Sequence, residues 1–133
     1  VRPIRDLDAL LKGLAPRLVP GTFVYATLAP GAVIDPGCVL ASVREDEGLS
    51  VIVAEETARR LGLVPALRCA WITLDVPSDL EAVGLTAAVA TALAARGIPC
   101  NVVAGARHDH LFVPTGLAEA AMEALRHLSR AGA

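Results

Sequence analysis

Two short stretches of this chain carry side chains and backbone groups that could do chemistry. The first surrounds Gly84, where the polar loop Pro77-Ser78-Asp79 gives way to a helical pattern. A helix that begins there presents unpaired N–H groups and the positive end of its dipole, which suits a carboxylate. Gly84 has no Cβ, so a ligand can approach its backbone. Thr86 adds a hydroxyl, and Asn101, on the strand that follows, can hold an amino group through its side-chain carbonyl. The bland alternative is that Gly84 only starts a helix and Asn101 only satisfies a strand end. The second stretch is His108-Asp109-His110. If it is extended, both imidazoles project from one face and Asp109 from the other. Two histidines can begin a zinc or nickel site, but such a site needs more ligands, and His127 on the last helix is the one other histidine. The competing reading is a polar hairpin turn. Asp75, Asp79 and Glu81 lie near the Gly84 loop, where acids can act in proton transfer, read a cationic ligand end or stabilise a helix dipole.

Composition narrows the function classes. The chain has 133 residues, 54% of them hydrophobic, with a formal net charge of −2. Material for a core is plentiful. Twelve Lys and Arg are scattered rather than clustered, which argues against nucleic acid, and Phe23, Tyr25, Trp71 and Phe112 are too few for a base-stacking surface. Cys38, Cys69 and Cys100 are odd in number and lack CxxC spacing, which argues against a disulfide framework or a cysteine zinc site; they sit in apolar stretches as free thiols, which suits a reducing cytoplasm. Apolar runs break well before the ~20 residues that span a bilayer, so no membrane association is expected. Arg2 to Asp8 leads into a helical pattern rather than a signal peptide, and Val1 in place of Met implies processing or trimming. No Walker loop, GxSxG or HExxH is present, and no catalytic residue or cofactor is expected.

The elements that must position these residues follow from periodicity and punctuation. Asp6 caps a helix carrying Leu7, Leu10, Leu11 and Leu14, ended by Pro16. Pro20-Gly21 turns the chain into a strand, Thr22 to Leu28, and residues 29–37 form a Pro- and Gly-rich loop. Strands from Cys38 to Arg44 and Leu49 to Val53 flank the turn Glu45-Asp46-Glu47-Gly48. A short helix, Glu55 to Leu61, ends at Gly62. In the second half, a strand from Cys69 to Val76 alternates Ile72, Leu74 and Val76 against Trp71, Thr73 and Asp75. A helix from Gly84 to Arg96 carries the stripe Leu85, Val89 and Leu93. Strands Ile98 to Ala106 and His110 to Val113 follow, then a helix capped by Thr115 with Leu117, Ala121, Leu125 and Leu128 on one face.

An internal repeat ties the halves together. Cys38 to Arg44 and Val102 to Arg107 are apolar runs ending in Arg, each followed by a turn centred on Asp46 or Asp109, an apolar strand and a helix. The second copy is preceded by a strand and a helix; the first has a strand but a loop for the helix. The expected fold is α+β, with two ferredoxin-like βαββαβ-type units in tandem, an antiparallel sheet and helices on one face. The units divide at residues 1–65 and 66–133. Sheet edges left open by such units favour a homodimer or higher homo-oligomer.

With these residues in place the chain resembles a known family. The run from Ser78 to Val89 is similar to the strand-to-helix loop of ACT domains, and so is the run from Leu93 to Val102. Aspartate kinases carry a similar Val-Gly loop and a Gly-Ile-x-x-Asn run after the helix. The chain as a whole resembles small stand-alone bacterial proteins built from two ACT-type units. In these, Arg44 to Leu49, Asn101 to Gly105 and His108 to Pro114 also look typical. The resemblance covers nearly the whole chain, more closely in its second half. It implies a non-catalytic regulatory module that binds an amino acid or similar small metabolite, with Val83, Gly84, Leu85, Asn101 and Val102 joining Thr86 as ligand residues. It also implies a regulated enzyme as partner. Two further readings stay open: an assembly module without a ligand, and a small metal-dependent enzyme built on His108 and His110.

Overall fold

The structure, a computed structural model, describes residues 2–131. They form two compact units, one made of the described residues up to Val19 and from Trp71 onward, the other of Pro20–Ala70. Two long strands, β1 (Pro16–Leu28) and β4 (Leu67–Leu74), contribute residues to both.

In the unit of Pro20–Ala70, β2 (Ala41–Glu45) and β3 (Gly48–Ala54) form an antiparallel hairpin, and β3 pairs antiparallel with β1 from Phe23↔Ala54 to Leu28↔Leu49. Gly48 makes the hairpin possible. Its φ is 143°, and a Cβ there would stand 2.1 Å from the Leu28 carbonyl oxygen. Val24, Ala26, Leu28, Val51 and Val53 alternate onto one face and pack with Ala58 of α2 (Glu55–Arg60). Acids in the first turn of α2, Arg59 and Arg60 in the last and left-handed Gly62 beyond it (φ 67°) complement the dipole and end the helix.

The other unit holds α1 (Leu7–Lys12), the end of β4, α3 (Leu85–Ala94), β5 (Asn101–Ala104), β6 (Asp109–Pro114) and α4 (Ala118–Ala131). β6 lies between β4 and β5 and pairs antiparallel with β5 from Asn101↔Phe112 to Ala104↔Asp109. Ile72, Leu74, Leu111 and Val113 are buried, as is the α3 stripe Leu85, Val89 and Leu93. The three helices touch one another, and Ala121, Met122 and Leu125 bury the inner face of α4.

The repeat is realised as β1–loop–β2–β3–α2 and β4–α3–β5–β6–α4, and the first half does carry a loop in place of its helix. Several local expectations are corrected. β1 runs through Pro20-Gly21 without turning, because Gly21 absorbs the irregularity at φ 110°; the left-handed residue between α1 and β1 is Ala15, at φ 46°. β2 starts at Ala41 rather than Cys38, because Asp35 caps a single 3-10 turn with Pro36 at its start. β5 spans four residues only, between Pro99, which has no N–H to pair, and the turn opened by Gly105. Thr115 opens a 3-10 turn, Thr115–Leu117, that leads into α4. All three cysteines are free, and burial pushes the Cys69 and Cys100 thiols up to about 11. Among the described residues, no helix is long and apolar enough to cross a membrane.

Candidate functional site

The loop from Pro77 to Gly84 is held before it reaches α3. The Ile4 N–H donates to the Pro77 carbonyl at 2.7 Å, and the Asp79 N–H donates to the Ile4 carbonyl at 2.9 Å, so the N-terminal segment straps the loop. Asp79 accepts from the Glu81 N–H at 2.8 Å and pairs with Arg5 at 2.9 Å, and these two contacts, in that order, hold its carboxyl below the usual range. Gly84 then begins α3 with φ 103°. No side chain caps the helix, and no acid stands in its first turn. Glycine at 84 is favoured by its left-handed backbone, and a Cβ there would also press on the end of the Leu7 side chain at 3.1 Å. The ligand-approach argument is not what favours it.

Beside this helix start lies a small pocket of about 150 Å³. Ser78, Asp79, Gly84, Leu85, Thr86 and Asp109 line it, with Ala104 across from them. Asp109 is 8% exposed. Burial raises its carboxyl above the usual value, while the His110 and His108 charges and a hydrogen bond from Ser78 pull the other way. An uncapped helix start and a buried carboxylate therefore border one cavity. That pairing offers N–H donors to an anionic group and an acceptor to a cationic one.

Of the residues singled out in the sequence, Gly84, Leu85 and Thr86 line this pocket. Val83 is 84% exposed and does not line it. Asn101 is exposed and Val102 half-buried on β5, three and two residues from Ala104. At a strand's rise Asn101 stands about 10 Å along the strand from Ala104. Ser78 and Asp109 were missed. The signal for Asp109 was its spacing: it shares a strand face with Leu111 and Val113, and so faces inward. It opens β6 opposite Ala104 rather than centring a turn, which is instead closed by the Gly105 N–H donating to the His108 carbonyl at 2.9 Å.

The two histidines have separate duties. The Trp71 indole N–H donates to His110 Nδ1 at 3.0 Å, and Thr73 Oγ1 lies 3.2 Å from the same nitrogen. An indole only donates, so Nδ1 carries a lone pair and the His110 proton sits on Nε2. His108 Nδ1 lies 3.3 Å from the Val76 carbonyl, to which its N–H donates. Among the described residues, no three His, Cys, Asp or Glu side chains gather as metal ligands. Asp75 is gripped by both Nε and Nη2 of Arg17, at 2.9 and 3.2 Å, which holds its carboxyl low.

Comparison with known proteins places this architecture. ACT-domain family models match residues 2–70 and residues 66–127. A solved structure from Vibrio cholerae, described as a protein of unknown function and possible transport protein, is 42% identical. It matches over 92% of this chain and 95% of its own, with a TM-score of 0.81. A protein from Agrobacterium tumefaciens is 20% identical, with a TM-score of 0.64 over 86% of this chain and 87% of that one. The ligand-free regulatory subunit of aspartate kinase from Thermus thermophilus shares the fold at 14% identity, with a TM-score of 0.64 over 87% and 97% of the two chains. A search of curated protein sequences gives no significant match. Both halves being matched, the chain belongs to the ACT-domain family, with two such domains in tandem.

Proposed function

We propose that this protein is a non-catalytic sensor that binds an amino acid or similar small metabolite and passes that state to a partner enzyme. The observation that carries the reading is the pocket in which the uncapped start of α3 stands beside buried Asp109. An α-amino acid carries the two complementary charges: its carboxylate fits the N–H groups at Leu85 and Thr86, and its ammonium fits Asp109. The volume of about 150 Å³ suits a small ligand. Val83, Asn101 and Val102 complete the site if a second copy of the chain brings such residues together, so the reading includes a homodimer. Family membership supports the regulatory role, and the named role of the Thermus relative, a regulatory subunit of an enzyme, is of the same kind.

A thermal-denaturation screen against the twenty amino acids tests the proposal. A ligand that binds only the folded state at a hundred times its Kd adds about 2.7 kcal/mol. The expected outcome is a concentration-dependent rise with one or a few amino acids, lost in Asp109→Asn and reduced in Thr86→Ala. A flat response to all twenty overturns it. The assembly reading would then take its place, since β2 and β5 are outer strands and Val43 on β2 is 62% exposed.

A further inference from the structure

A second and larger cleft lies in the same unit, bordered by residues that the first pocket does not use. Its volume is about 560 Å³, within the range of small-molecule sites. Pro3 and Pro77 supply apolar wall, Asp75 stands at the end of the strand, and Ala106, Arg107 and His108 come from the turn between β5 and β6. Three chain segments form it, and each is fastened to another. Ile4 ties the segment of Pro3 to Pro77 by the 2.7 Å backbone bond. The His108 imidazole ties the β5–β6 turn to the Val76 carbonyl. The Gly105 N–H closes that turn on the His108 carbonyl. The cleft is therefore largely preformed, which lowers the ordering cost of filling it.

Its charges do not balance. Asp75 is already neutralised by the two-pronged contact with Arg17. Among the described residues, Arg107 has neither a hydrogen-bonding nor an ionic partner. The uncompensated charge at the cleft is thus a guanidinium, whose planar fork matches a carboxylate. The Nδ1–H of His108 is spent on Val76, which leaves Nε2 as an acceptor, so the anion's donor at the cleft is Arg107.

We propose that this cleft is a second ligand site, separate from the α3 pocket, which takes a small organic carboxylate: the anion on Arg107, the apolar body against Pro3 and Pro77. The site does not depend on the amino-acid reading above, because none of its lining residues lines the α3 pocket.

The test is a titration of the protein with sodium butyrate, which has no amino group, followed by amide NMR against sodium chloride at matched ionic strength. Saturable shifts are expected at Val76, Ala106, Arg107 and His108, with smaller ones at Gly84, Leu85 and Thr86. Loss of a two-pronged charged contact weakens binding by about tenfold or more, so Arg107→Gln should show that loss and Arg107→Lys an intermediate one. Arg107 is exposed, so both variants should fold as the parent does. The proposal is overturned if the turn shows no saturable shift, if Arg107→Gln titrates like the parent, or if the shifts are confined to Gly84–Thr86. A negative amino-acid screen with positive butyrate shifts would retire the first site and leave this one standing.

Discussion

The Trp71 indole nitrogen and His110 Nδ1 stand 3.0 Å apart, and because the indole must donate, the imidazole is held neutral. Burial is the leading cause that lowers the His110 pKa. The neighbouring charges of His108 and Arg17 lower it further, and those of Asp109 and Asp75 oppose the shift. Protonating Nδ1 would sever the indole bond. Below about pH 6.5 the unfolded chain takes up a proton that the folded chain refuses until lower pH, so stability falls as pH drops through that window. Thermal midpoints at pH 5.5 and 7.5 should differ more in the parent than in His110→Gln. Fluorescence of Trp71, the single tryptophan, should change over the same interval only in the parent.

Asp109 carries the opposite sign. Its folded pKa is raised, chiefly by burial, so the folded state holds its proton longer than the unfolded one as pH rises. Its ionisation therefore costs stability above the ordinary carboxyl range, near 3.9. Asp109→Asn should raise the midpoint of urea unfolding at pH 7 and flatten the pH dependence, while weakening amino-acid binding. A variant both less stable and unchanged in binding would remove Asp109 from the site.

Two glycine variants separate conformation from contact. Gly62→Ala meets open space and pays for its left-handed backbone alone, about 1 kcal/mol. Gly48→Ala drives a Cβ into the Leu28 carbonyl and should cost well beyond ~3 kcal/mol or abolish folding. Urea denaturation of the pair distinguishes the two costs.

Leu93 is fully buried in α3 and Leu80 is 66% exposed in the loop before it. Leu93→Ala should cost about 2–5 kcal/mol. Leu80→Ala should stay within about 0.5 kcal/mol of the parent. Chemical denaturation measures both.

Much of this molecule was legible in local residue order. Asp6, Gly62 and Gly97 punctuate helices through their own backbone and capping chemistry, and the Leu85–Val89–Leu93 stripe needs only helical spacing to be read. The strand pattern of β4 and the strand–turn–strand–helix repeat are local in the same sense. The failures fell where a distant partner decides. Pro20-Gly21 looks like a turn, but β1 continues through it, and its later half pairs with β3, from Phe23↔Ala54 to Leu28↔Leu49. Asp109 looks like a turn residue by analogy with Asp46, but pairing of β6 with β5 turns it inward.

The sequence by itself determined the fold and the start of α3 at Gly84, because each rests on periodicity and on glycine and proline stereochemistry, and it pointed to the family through the resemblance of the runs from Ser78 to Val89 and from Leu93 to Val102. Tertiary structure alone decided that Asp109 and Ser78 join Gly84, Leu85 and Thr86 at one pocket while Asn101 lies about 10 Å along β5 from Ala104. It alone set His110 Nδ1 against Trp71 and His108 Nδ1 against Val76. The reason is that a side chain's partner is set by strand register and by which segments the core brings side by side, and neither is encoded within a few residues of the side chain itself.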